Sequence, residues 1–365
     1  MNGAFYMHTH MNAAFKEAAK ADNKVGLNPK VGAIIIKNDR VISTGYHAEY
    51  GHAHAEINAL NNAKEPVEGS TMVVTLEPCS HHGKTPPCVD AIQASGIQKV
   101  IIGTLDPNPH VAGRGMQILK DAGLEVELLD ATDQQQAINR DYLKKVTTGR
   151  PYVTLKSAVS LDGKMALKNG ESQWITSPES RDVVQALRRD ASAVLVGVGT
   201  ILKDNPRLTV RGSAADSPVR IILDSNLRTP LDSTVVQTAL EVDTWIFTGP
   251  TSEAEAFIKA GVKVFHVPLT DDHCDLDAVF DQLNALPLKH ILVESGPTLT
   301  TALIHAQKID EWRMMMAPTL LGADALSLIK ELTLSRLIDS PQFQLRELDH
   351  VAGDIHLTLI PERTS

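Results

Sequence analysis

Short apolar runs alternate with amphipathic helical segments along most of this chain, and this alternation limits the folds it can adopt. In the N-terminal part the predicted strands are residues 31–36, 41–44, 71–75, 99–103 and 124–129. Helical patterns cover residues 8–21, 54–63, 89–94, 115–122 and 133–145. The turn Lys37-Asn38-Asp39-Arg40 joins the first two strands in a hairpin. Later strands, each separated by a helix, are expected to be parallel, so the pattern predicts a layered α/β domain.

A second alternation begins after Thr147-Thr148-Gly149-Arg150-Pro151, which we interpret as a domain boundary. The expected domains are residues 1–148 and 149–365, and 365 residues suffice for two cores. Ser177-Pro178 predicts a capped helix running to Arg189. Predicted strands are residues 152–159, 193–197, 219–223, 244–248, 262–267 and 290–294. Residues 343–348 and 354–360 alternate as half-buried antiparallel strands do, so the second sheet is expected to be mixed.

Composition narrows the class of function. The net charge of -9 disfavours a sequence-independent grip on nucleic acid, and three cysteines do not suggest a disulfide framework. No run approaches the roughly 20 apolar residues of a membrane-spanning helix, and the opening residues lack a basic start with an apolar stretch. We therefore expect a cytoplasmic protein with a small-molecule substrate and neither nucleic acid nor membrane as a partner. We also expect a homo-oligomer.

Three metal-ligand residues fall where predicted strands lead into helices. His54-Ala55-Glu56 opens a helical segment, while Pro78-Cys79 and Pro87-Cys88 lie between a strand and the next helix. In α/β sheets such positions converge on one crevice. One imidazole and two thiolates leave a fourth tetrahedral position for water, which is typical of a catalytic zinc site. We predict that His54, Cys79 and Cys88 bind zinc.

Glu56 is the candidate proton carrier beside that zinc. A carboxylate there can accept a proton from the activated water, pass it to a ring nitrogen and help ammonia leave, as in nucleobase deaminases. Residues two apart on a regular helix point to nearly opposite sides. His54 and Glu56 can therefore share a site only at an irregular or first helical turn.

Plainer explanations exist for each signal alone. A histidine before a glutamate is often a surface residue, and intracellular cysteines are often small buried hydrophobes. Two other functions are also open: a structural zinc without deaminase activity, and a nucleic-acid-editing deaminase whose second domain is a recognition module. The acidic charge and the 4% aromatic content disfavour the editing enzyme. Cys274 has no metal-ligand companions, so we interpret it as a structural or incidental thiol.

The order of these residues resembles the cytidine-deaminase-like superfamily, whose pattern is H-x-E followed by P-C-x-x-C. Here eight residues separate the cysteines. With residues 28–32 (N-P-K-V-G) and 106–109 (D-P-N-P), this longer form resembles the deaminase domain of bifunctional riboflavin-biosynthesis deaminase-reductases. The resemblance implies a diaminopyrimidinone substrate carrying a ribosylamino phosphate. The implied substrate contacts are Asn28, His47, His82, Lys84 and Asp106.

In the second part, Gly296 follows the strand that ends at Glu294 and opens a helix. A helix N-terminus reached through glycine suits an anion such as the pyrophosphate of a dinucleotide, although such glycines often serve the turn alone. Residues 196–200 (V-G-V-G-T) lack the third glycine of the Rossmann fingerprint, so no Rossmann fold is predicted.

Other segments resemble the reductase domain of the same family, which is similar to dihydrofolate reductase in fold and uses NADPH to reduce the opened ribose to ribityl. They are residues 155–158, 160–163, 171–176, 199–200, 204–206, 208–211 and 294–298. The implied fold class is a three-layer cytidine-deaminase-like domain followed by a mixed-sheet dihydrofolate-reductase-like domain. The implied NADPH contacts are Ala158, Trp174, Thr200, Asp204, Ser225, Gly296, Pro297, Thr298, Leu299, Thr300, Thr301 and Ala302.

The same resemblance implies a substrate site in the second domain. Its expected contacts are Ser172, Arg188, Leu208, Arg211 and Glu294. Arginines suit the substrate phosphate, and Lys156 and Glu294 are the candidates to assist protonation. The alternatives are that Lys156 is a snorkelling strand residue and that Trp174 belongs to the core.

Overall fold

The structure, a computed structural model, describes residues 2–109, 111–251 and 253–362. It divides into two compact units, Met1–Arg150 and Pro151–Ser365. In the described part of the chain, no helix is both long and apolar enough to span a bilayer.

The first unit contains one five-stranded sheet. Its strands are β1 (Gly32–Lys37), β2 (Arg40–Tyr46), β3 (Thr71–Val74), β4 (Lys99–Ile102) and β5 (Glu125–Leu128). They lie in the order β2-β1-β3-β4-β5. Strand β1 pairs antiparallel with β2 and β3, whereas β3, β4 and β5 run parallel. The predicted hairpin and the parallel arrangement after it are confirmed.

Helices cover both faces of this sheet and make three layers. They are α1 (Asn2–Ala18), α2 (Ala55–Asn61), α3 (Cys88–Ala94), α4 (Arg114–Asp121) and α5 (Thr132–Thr148). Alternate side chains of β1 point to opposite faces: Ile34 packs with α1, while Ile35 packs with α2, α3 and α4. Gly45 lets α2 approach closely, since a Cβ there would lie 2.3 Å from the Ala59 nitrogen. The sheet thus fixes where α2 begins.

Thr147 and Thr148 lie just before the division between the two compact units, which falls between Arg150 and Pro151. Both residues belong to the last turn of α5, and Gly149, with a left-handed φ of 73°, ends the helix. Glycine adopts this conformation without steric cost, so the chain stays helical until that residue is reached.

The second unit contains a nine-stranded mixed sheet and two small ribbons. The strands are β6 (Tyr152–Ser160), β7 (Lys164–Ala166), β8 (Ala193–Gly197), β9 (Val219–Leu223), β10 (Thr244–Thr248), β11 (Lys263–His266), β12 (Leu269–Thr270), β13 (His273–Cys274), β14 (His290–Glu294), β15 (Glu311–Ala317), β16 (Leu326–Ser327), β17 (Phe343–Val351) and β18 (Asp354–Pro361). The order in the large sheet is β11-β10-β9-β8-β14-β6-β15-β18-β17, while β12 with β13 and β16 with β7 form the ribbons. In the large sheet β18 pairs antiparallel with β15 and β17 and the other pairs are parallel, so the predicted mixed sheet is confirmed.

The helices of the second unit are α6 (Pro178–Asp190), α7 (Val198–Asp204), α8 (Thr234–Gln237), α9 (Glu255–Lys259), α10 (Leu276–Ala285) and α11 (Pro297–His305). The Ser177 hydroxyl accepts the Ser180 amide at 3.1 Å, which confirms the predicted cap of α6. Leu195 of β8 packs in one apolar cluster and Val196 in another, so the central strands are buried on both faces.

The expectation that residues 343–348 form a half-buried strand is wrong in its burial. Strand β17 is the outermost strand, paired with β18, and most of its side chains are exposed. Alternation therefore predicted the strand, but it does not report whether another layer covers the faces of that strand. Strand β15 was not predicted, because its sequence, E-W-R-M-M-M-A, does not alternate.

Candidate active sites

His54 and Glu56 meet at the first turn of α2, as the sequence requires. His54 is the N-cap residue, with an extended φ of -73° and ψ of 169°, and Ala55 is the first helical residue. Since the His54 backbone is extended, its ring does not follow the helical periodicity and can lie near the Glu56 carboxylate. The predicted first-turn geometry is confirmed.

The two cysteines lie beside His54. Cys88 is the first residue of α3, and its amide donates to the Cys79 sulfur at 3.3 Å. The His54 Nδ1 atom lies 3.4 Å from the Cys79 sulfur and 3.3 Å from the Cys88 sulfur. Zinc bonded tetrahedrally at about 2.3 Å to sulfur and about 2.0 Å to nitrogen would separate those atoms by about 3.5 Å. The three side chains therefore fit one zinc ion and leave its fourth position open.

Hydrogen bonding, charge and burial shift the pKa values of Cys79 and Glu56. A hydrogen bond with the Cys88 thiol lowers the pKa of Cys79, which makes a thiolate ligand available. Burial raises the pKa of Glu56 to about 7, and the negative charge of Cys79 acts in the same direction. Glu56 is only 3% exposed. A carboxyl group with this pKa can both accept and return a proton near neutral pH.

Asn28 and His47 form a wall next to His54. The His47 ring lies edge-on to the His54 ring, with centroids 5.1 Å apart. His47 Nδ1 lies 3.1 Å from the Ala53 carbonyl, and Nε2 lies 3.1 Å from the Asn28 side-chain nitrogen. The carbonyl accepts from Nδ1-H, so Nε2 accepts from the Asn28 amide. The structure therefore places these two predicted residues next to the candidate zinc ligand His54.

The remaining predicted substrate contacts of this unit differ in accessibility. His82 and Lys84 are exposed on the loop between the cysteines, and the Lys84 ammonium lies 4.4 Å from the centroid of the Tyr50 ring. Asp106 is buried, and its carboxylate accepts the Tyr142 hydroxyl at 2.9 and 3.0 Å. Asp106 is thus held within the protein, whereas the loop residues face solvent.

Sequence reasoning missed two groups of α5 that hold the walls of the site. The buried Asn139 side chain accepts the Lys30 amide at 2.7 Å and donates to the Lys30 carbonyl at 2.8 Å. Tyr142, one turn further, binds Asp106. The polar pattern of α5 does not tell which of its side chains face inward. Helix α5 therefore anchors both the segment that follows Asn28 and the segment that begins at Asp106.

In the second unit, most predicted NADPH contacts lie at one edge of the sheet. Ser225 follows β9, Gly296 follows β14, and Thr200 lies in the first turn of the helix after β8. These strands are parallel, so their carboxyl ends meet at that edge. A Cβ placed on Gly197 would lie 3.7 Å from a Leu299 methyl group, which brings the β8 and β14 turns together. The edge therefore suits a dinucleotide.

Other predicted residues of this unit lie elsewhere in the fold. Trp174 is 66% exposed, with the Arg181 guanidinium 4.3 Å from its ring centroid, so the alternative that it belongs to the core is wrong. Asp204 is the exposed last residue of α7, and Ser172 is half-buried in the loop before α6. Leu208 is buried and packs in an apolar cluster.

Lys156, Glu294 and Arg188 form one charged group. Lys156 and Glu294 are paired residues of neighbouring parallel strands, and parallel register places their side chains on one face. Arg188 binds Glu294 through two hydrogen bonds of 2.6 and 2.9 Å. Burial lowers the pKa of Lys156, whereas Arg188 keeps the pKa of Glu294 below its ordinary value against the effect of burial. Arg188 also lines a cavity of ≈ 480 Å³ with Arg211.

Comparisons with known proteins agree with both halves of this description. The family model described as "Cytidine and deoxycytidylate deaminase zinc-binding region" matches residues 6–104, and the model "RibD C-terminal domain" matches residues 151–357. The riboflavin biosynthesis protein RibD of Escherichia coli (strain K12) is 40% identical over 365 residues, covering 96% of this chain and 98% of that protein. RibD of Aquifex aeolicus (strain VF5) is 40% identical over 348 residues, covering 95% and 96%.

Solved structures match over the same length. Acinetobacter baumannii RibD, form 2, has a TM-score of 0.87 and 34% identity, covering 98% of this chain and 99% of that chain. A diaminohydroxyphosphoribosylaminopyrimidine deaminase/5-amino-6-(5-phosphoribosylamino)uracil reductase from Thermotoga maritima has a TM-score of 0.86 and 34% identity over the same shares.

Fold and site together define a two-domain enzyme in which a zinc-dependent deaminase precedes a reductase. The predicted fold class, a cytidine-deaminase-like domain followed by a dihydrofolate-reductase-like domain, is confirmed. The chain belongs to the RibD family of riboflavin-biosynthesis proteins. It is a bifunctional deaminase and reductase, with Zn²⁺ and NADPH as cofactors.

Proposed function

We propose that this chain deaminates a phosphoribosylamino-diaminopyrimidinone and then reduces the ribosyl group of the product to ribityl. The name of the Thermotoga maritima relative, a deaminase and reductase, contains both steps for that protein. We assign deamination to residues 1–148 and reduction to residues 149–365. The family matches at residues 6–104 and 151–357 support this assignment. The observation that carries the proposal is the cluster of His54, Cys79 and Cys88 beside a buried Glu56.

His54, Cys79 and Cys88 would hold the zinc ion, which would supply Lewis-acid activation of a water molecule. Glu56 accepts one proton of the water and delivers it to the ring nitrogen beside the carbon to which the water oxygen bonds. It then takes the proton of the hydroxyl group now on that carbon and gives it to the amino group, so that the C=O bond forms, the C-N bond breaks and ammonia is released. The pKa of about 7 suits Glu56 to both transfers.

Asn28 and His47 orient the pyrimidine ring from the wall beside His54, and His82 and Lys84 contact the substrate from the exposed loop. The supporting observations are the hydrogen bond between Asn28 and His47 and the exposure of both loop side chains. Asp106 was expected to bind a polar edge of the substrate. Its bonds to Tyr142 favour an indirect role, in which it fixes the loop that it begins.

In the reductase domain, NADPH when bound supplies a hydride to the imine-like carbon of the opened sugar. Lys156 donates the balancing proton to the attached nitrogen, and Glu294 keeps the lysine ammonium in place. Their paired positions on neighbouring strands support this assignment. Ala158 lies two residues beyond Lys156 on the same face of β6, and both are half-exposed between buried neighbours. This part of β6 therefore faces the space where cofactor and substrate would meet.

The substrate phosphate is assigned to the cavity lined by Arg188 and Arg211. Arg211 is exposed there, and its guanidinium can pair with an anion. Arg188 already donates to Glu294 through Nε and Nη2 and to the Thr209 carbonyl through Nη1, so its part in phosphate binding uses the N-H groups that these three bonds leave.

Small phosphorylated pyrimidines, rather than nucleic acids, are the proposed substrates. The net charge of -9 supports this choice. Filter binding with single-stranded DNA and RNA tests it, and tight, salt-sensitive retention would favour the editing deaminase instead. A cytoplasmic location belongs to the same proposal, because both steps use phosphorylated intermediates.

Self-association is also part of the proposal. The edge strand β17 exposes Leu345 and Leu348, apolar side chains that a second copy of the chain would cover. Sedimentation of the full chain tests this expectation, and a monomer at all concentrations would contradict it.

Metal analysis combined with assays for ammonia and NADPH consumption on the phosphorylated diaminopyrimidinone tests the proposed function. We expect bound zinc, ammonia release without NADPH, and NADPH consumption that follows ammonia release. If the zinc-loaded protein releases no ammonia, the alternative of a structural zinc without deaminase activity would be favoured.

A further inference from the structure

We propose that Glu77 is a positioning residue of the deaminase site. It fixes the position of the Cys79 sulfur and thereby affects zinc binding and the rate of deamination. Glu77 is two residues before Cys79 and only 4% exposed. The proposal rests on the zinc deamination proposed above. It adds a residue that touches neither metal nor substrate.

The Glu77 carboxylate joins the cysteine loop to the segment that enters α4. One oxygen accepts the Gly113 amide at 2.8 Å and the Asp106 amide at 3.3 Å, and the other accepts the Met116 amide at 3.1 Å. The Glu77 amide donates to the Thr104 carbonyl at 3.0 Å. Glu77 therefore holds the chain from residue 104 to residue 116 with both its backbone and its side chain.

Helix α4 needs an acceptor from outside itself. Its N-cap residue is Gly113, which has a left-handed φ of 85° and no side chain to cap the helix. A capping side chain ordinarily accepts the amide of the third helical residue, here Met116. Glu77 provides that acceptor from a distant part of the chain. The carboxylate charge is also favourable at a helix N-terminus.

The same contact presses α4 against the residue that precedes the zinc ligand. A Cβ on Gly115 would lie 2.0 Å from the Pro78 carbonyl oxygen and 3.3 Å from a Glu77 carboxylate oxygen. The first turn of α4 thus lies directly on Pro78. On the other side, the Cys79 carbonyl and sulfur accept the Val89 and Cys88 amides of α3. Cys79 is therefore held between the starts of two helices, and Glu77 fixes one of them.

A buried carboxylate costs free energy unless hydrogen bonds replace its water. Here three backbone amides do so, and removing the carboxylate would leave those amides without an acceptor. In Glu77→Gln the side chain keeps its size, but its amide group can present an N-H where an acceptor is needed. We therefore expect the start of α4 to shift and the geometry at Cys79 to change with it.

The test uses the full chain loaded with cobalt(II), whose d-d and thiolate-to-metal bands report ligand geometry. We expect Glu77→Gln to shift these bands, to weaken zinc retention against a chelator by about tenfold or more, and to lower kcat for deamination. NADPH oxidation on deaminated substrate should stay at the wild-type level, which shows that the second domain is folded and that the change is confined to the first. Glu68→Gln, an exposed glutamate of the same domain, is the matched control and should match wild type.

Glu77→Asp keeps the charge but is one methylene shorter, so it cannot reach Gly113 and Met116 together. It should give a smaller shift of the bands in the same direction, and it is the variant to measure if Glu77→Gln does not accumulate. The proposal is overturned if the Glu77 variants show the same cobalt bands as wild type and retain zinc within twofold of wild type. A lower unfolding temperature with those results would mean that Glu77 only stabilises the fold. Wild-type protein without thiolate-to-cobalt bands would instead contradict the proposed zinc deaminase.

Discussion

The residues of the deaminase site bind one another, whereas those of the reductase site are mostly brought together by the edge of a sheet. His54 contacts both cysteines, and His47 joins Asn28 to the Ala53 carbonyl. In the second domain, the cofactor residues follow separate parallel strands, and the clearest side-chain bond is the Arg188-Glu294 pair. Contacts between side chains therefore define the geometry of the first site. The order of the parallel strands and the Arg188-Glu294 ion pair define the second.

Removal of zinc should separate the two sites most strongly. A chelator removes the ion that His54, Cys79 and Cys88 hold, so ammonia release should fall to background. NADPH oxidation on deaminated substrate should persist, because its charged groups belong to the second domain. Parallel assays of both steps on one chelated sample check this. Equal loss of both activities would show that the reductase also depends on the metal.

Lys156 tests whether the reductase site depends on proton transfer. Lys156→Met should lower kcat for reduction by about 10²–10⁴-fold, while the exposed control Lys168→Met should not. Burial lowers the pKa of Lys156 below the ordinary 10.5. The ammonium is therefore lost, as the pH rises, through a pKa below that of an ordinary lysine, so kcat should fall on the alkaline side earlier than an ordinary lysine would allow. An unchanged kcat in Lys156→Met would exclude the lysine as the proton donor.

The pair of Arg188 and Glu294 tests the ion pair of the reductase site. Arg188→Lys keeps the charge but loses the bidentate contact, so kcat/KM for reduction should fall about tenfold, equivalent to about 1.4 kcal/mol. Arg189→Lys is the matched control, since Arg189 is the exposed next residue of α6. Steady-state kinetics of both variants measure the difference. Equal effects at the two positions would make the ion pair irrelevant to the reaction.

Asn139 tests whether hydrogen bonds away from the metal ligands hold the deaminase site in place. Its side chain binds the backbone of Lys30, two residues after Asn28. Asn139→Ala removes both hydrogen bonds to the Lys30 backbone and should destabilise the first domain by about 1–3 kcal/mol. KM for deamination should rise severalfold, because the segment that carries Asn28 loosens, whereas reductase kinetics should stay unchanged. The exposed Gln136→Ala of the same helix is the control. Unchanged KM with lower stability would limit Asn139 to folding.

The sequence was most informative where residue types that bind metal occur at junctions between a strand and a helix. His54, Cys79 and Cys88 are rare residue types at strand-to-helix junctions, and the structure places their ligand atoms within 4.8 Å of one another. Alternation likewise predicted the parallel strands, because connecting helices leave few other arrangements. Edge strand β17 was predicted as a strand but with the wrong burial, since periodicity does not report whether a neighbouring layer exists.

Contacts between distant polar residues could not be predicted. Arg188 and Glu294 were both expected to meet the substrate, yet they are 106 positions apart and bind each other. Asn139 lies in a polar helix whose pattern does not distinguish its buried amide from exposed ones. Such pairings depend on tertiary geometry, which composition and spacing do not encode.

The most direct test of the account compares zinc content with ammonia release in Glu56→Gln. This substitution keeps the size of the side chain and removes the group that moves protons, while His54, Cys79 and Cys88 remain. We predict full zinc content, unchanged NADPH oxidation on deaminated substrate, and ammonia release lowered by about 10²–10⁴-fold. Ammonia release at the wild-type rate with zinc in place would contradict the assignment of Glu56 and, with it, the deaminase mechanism.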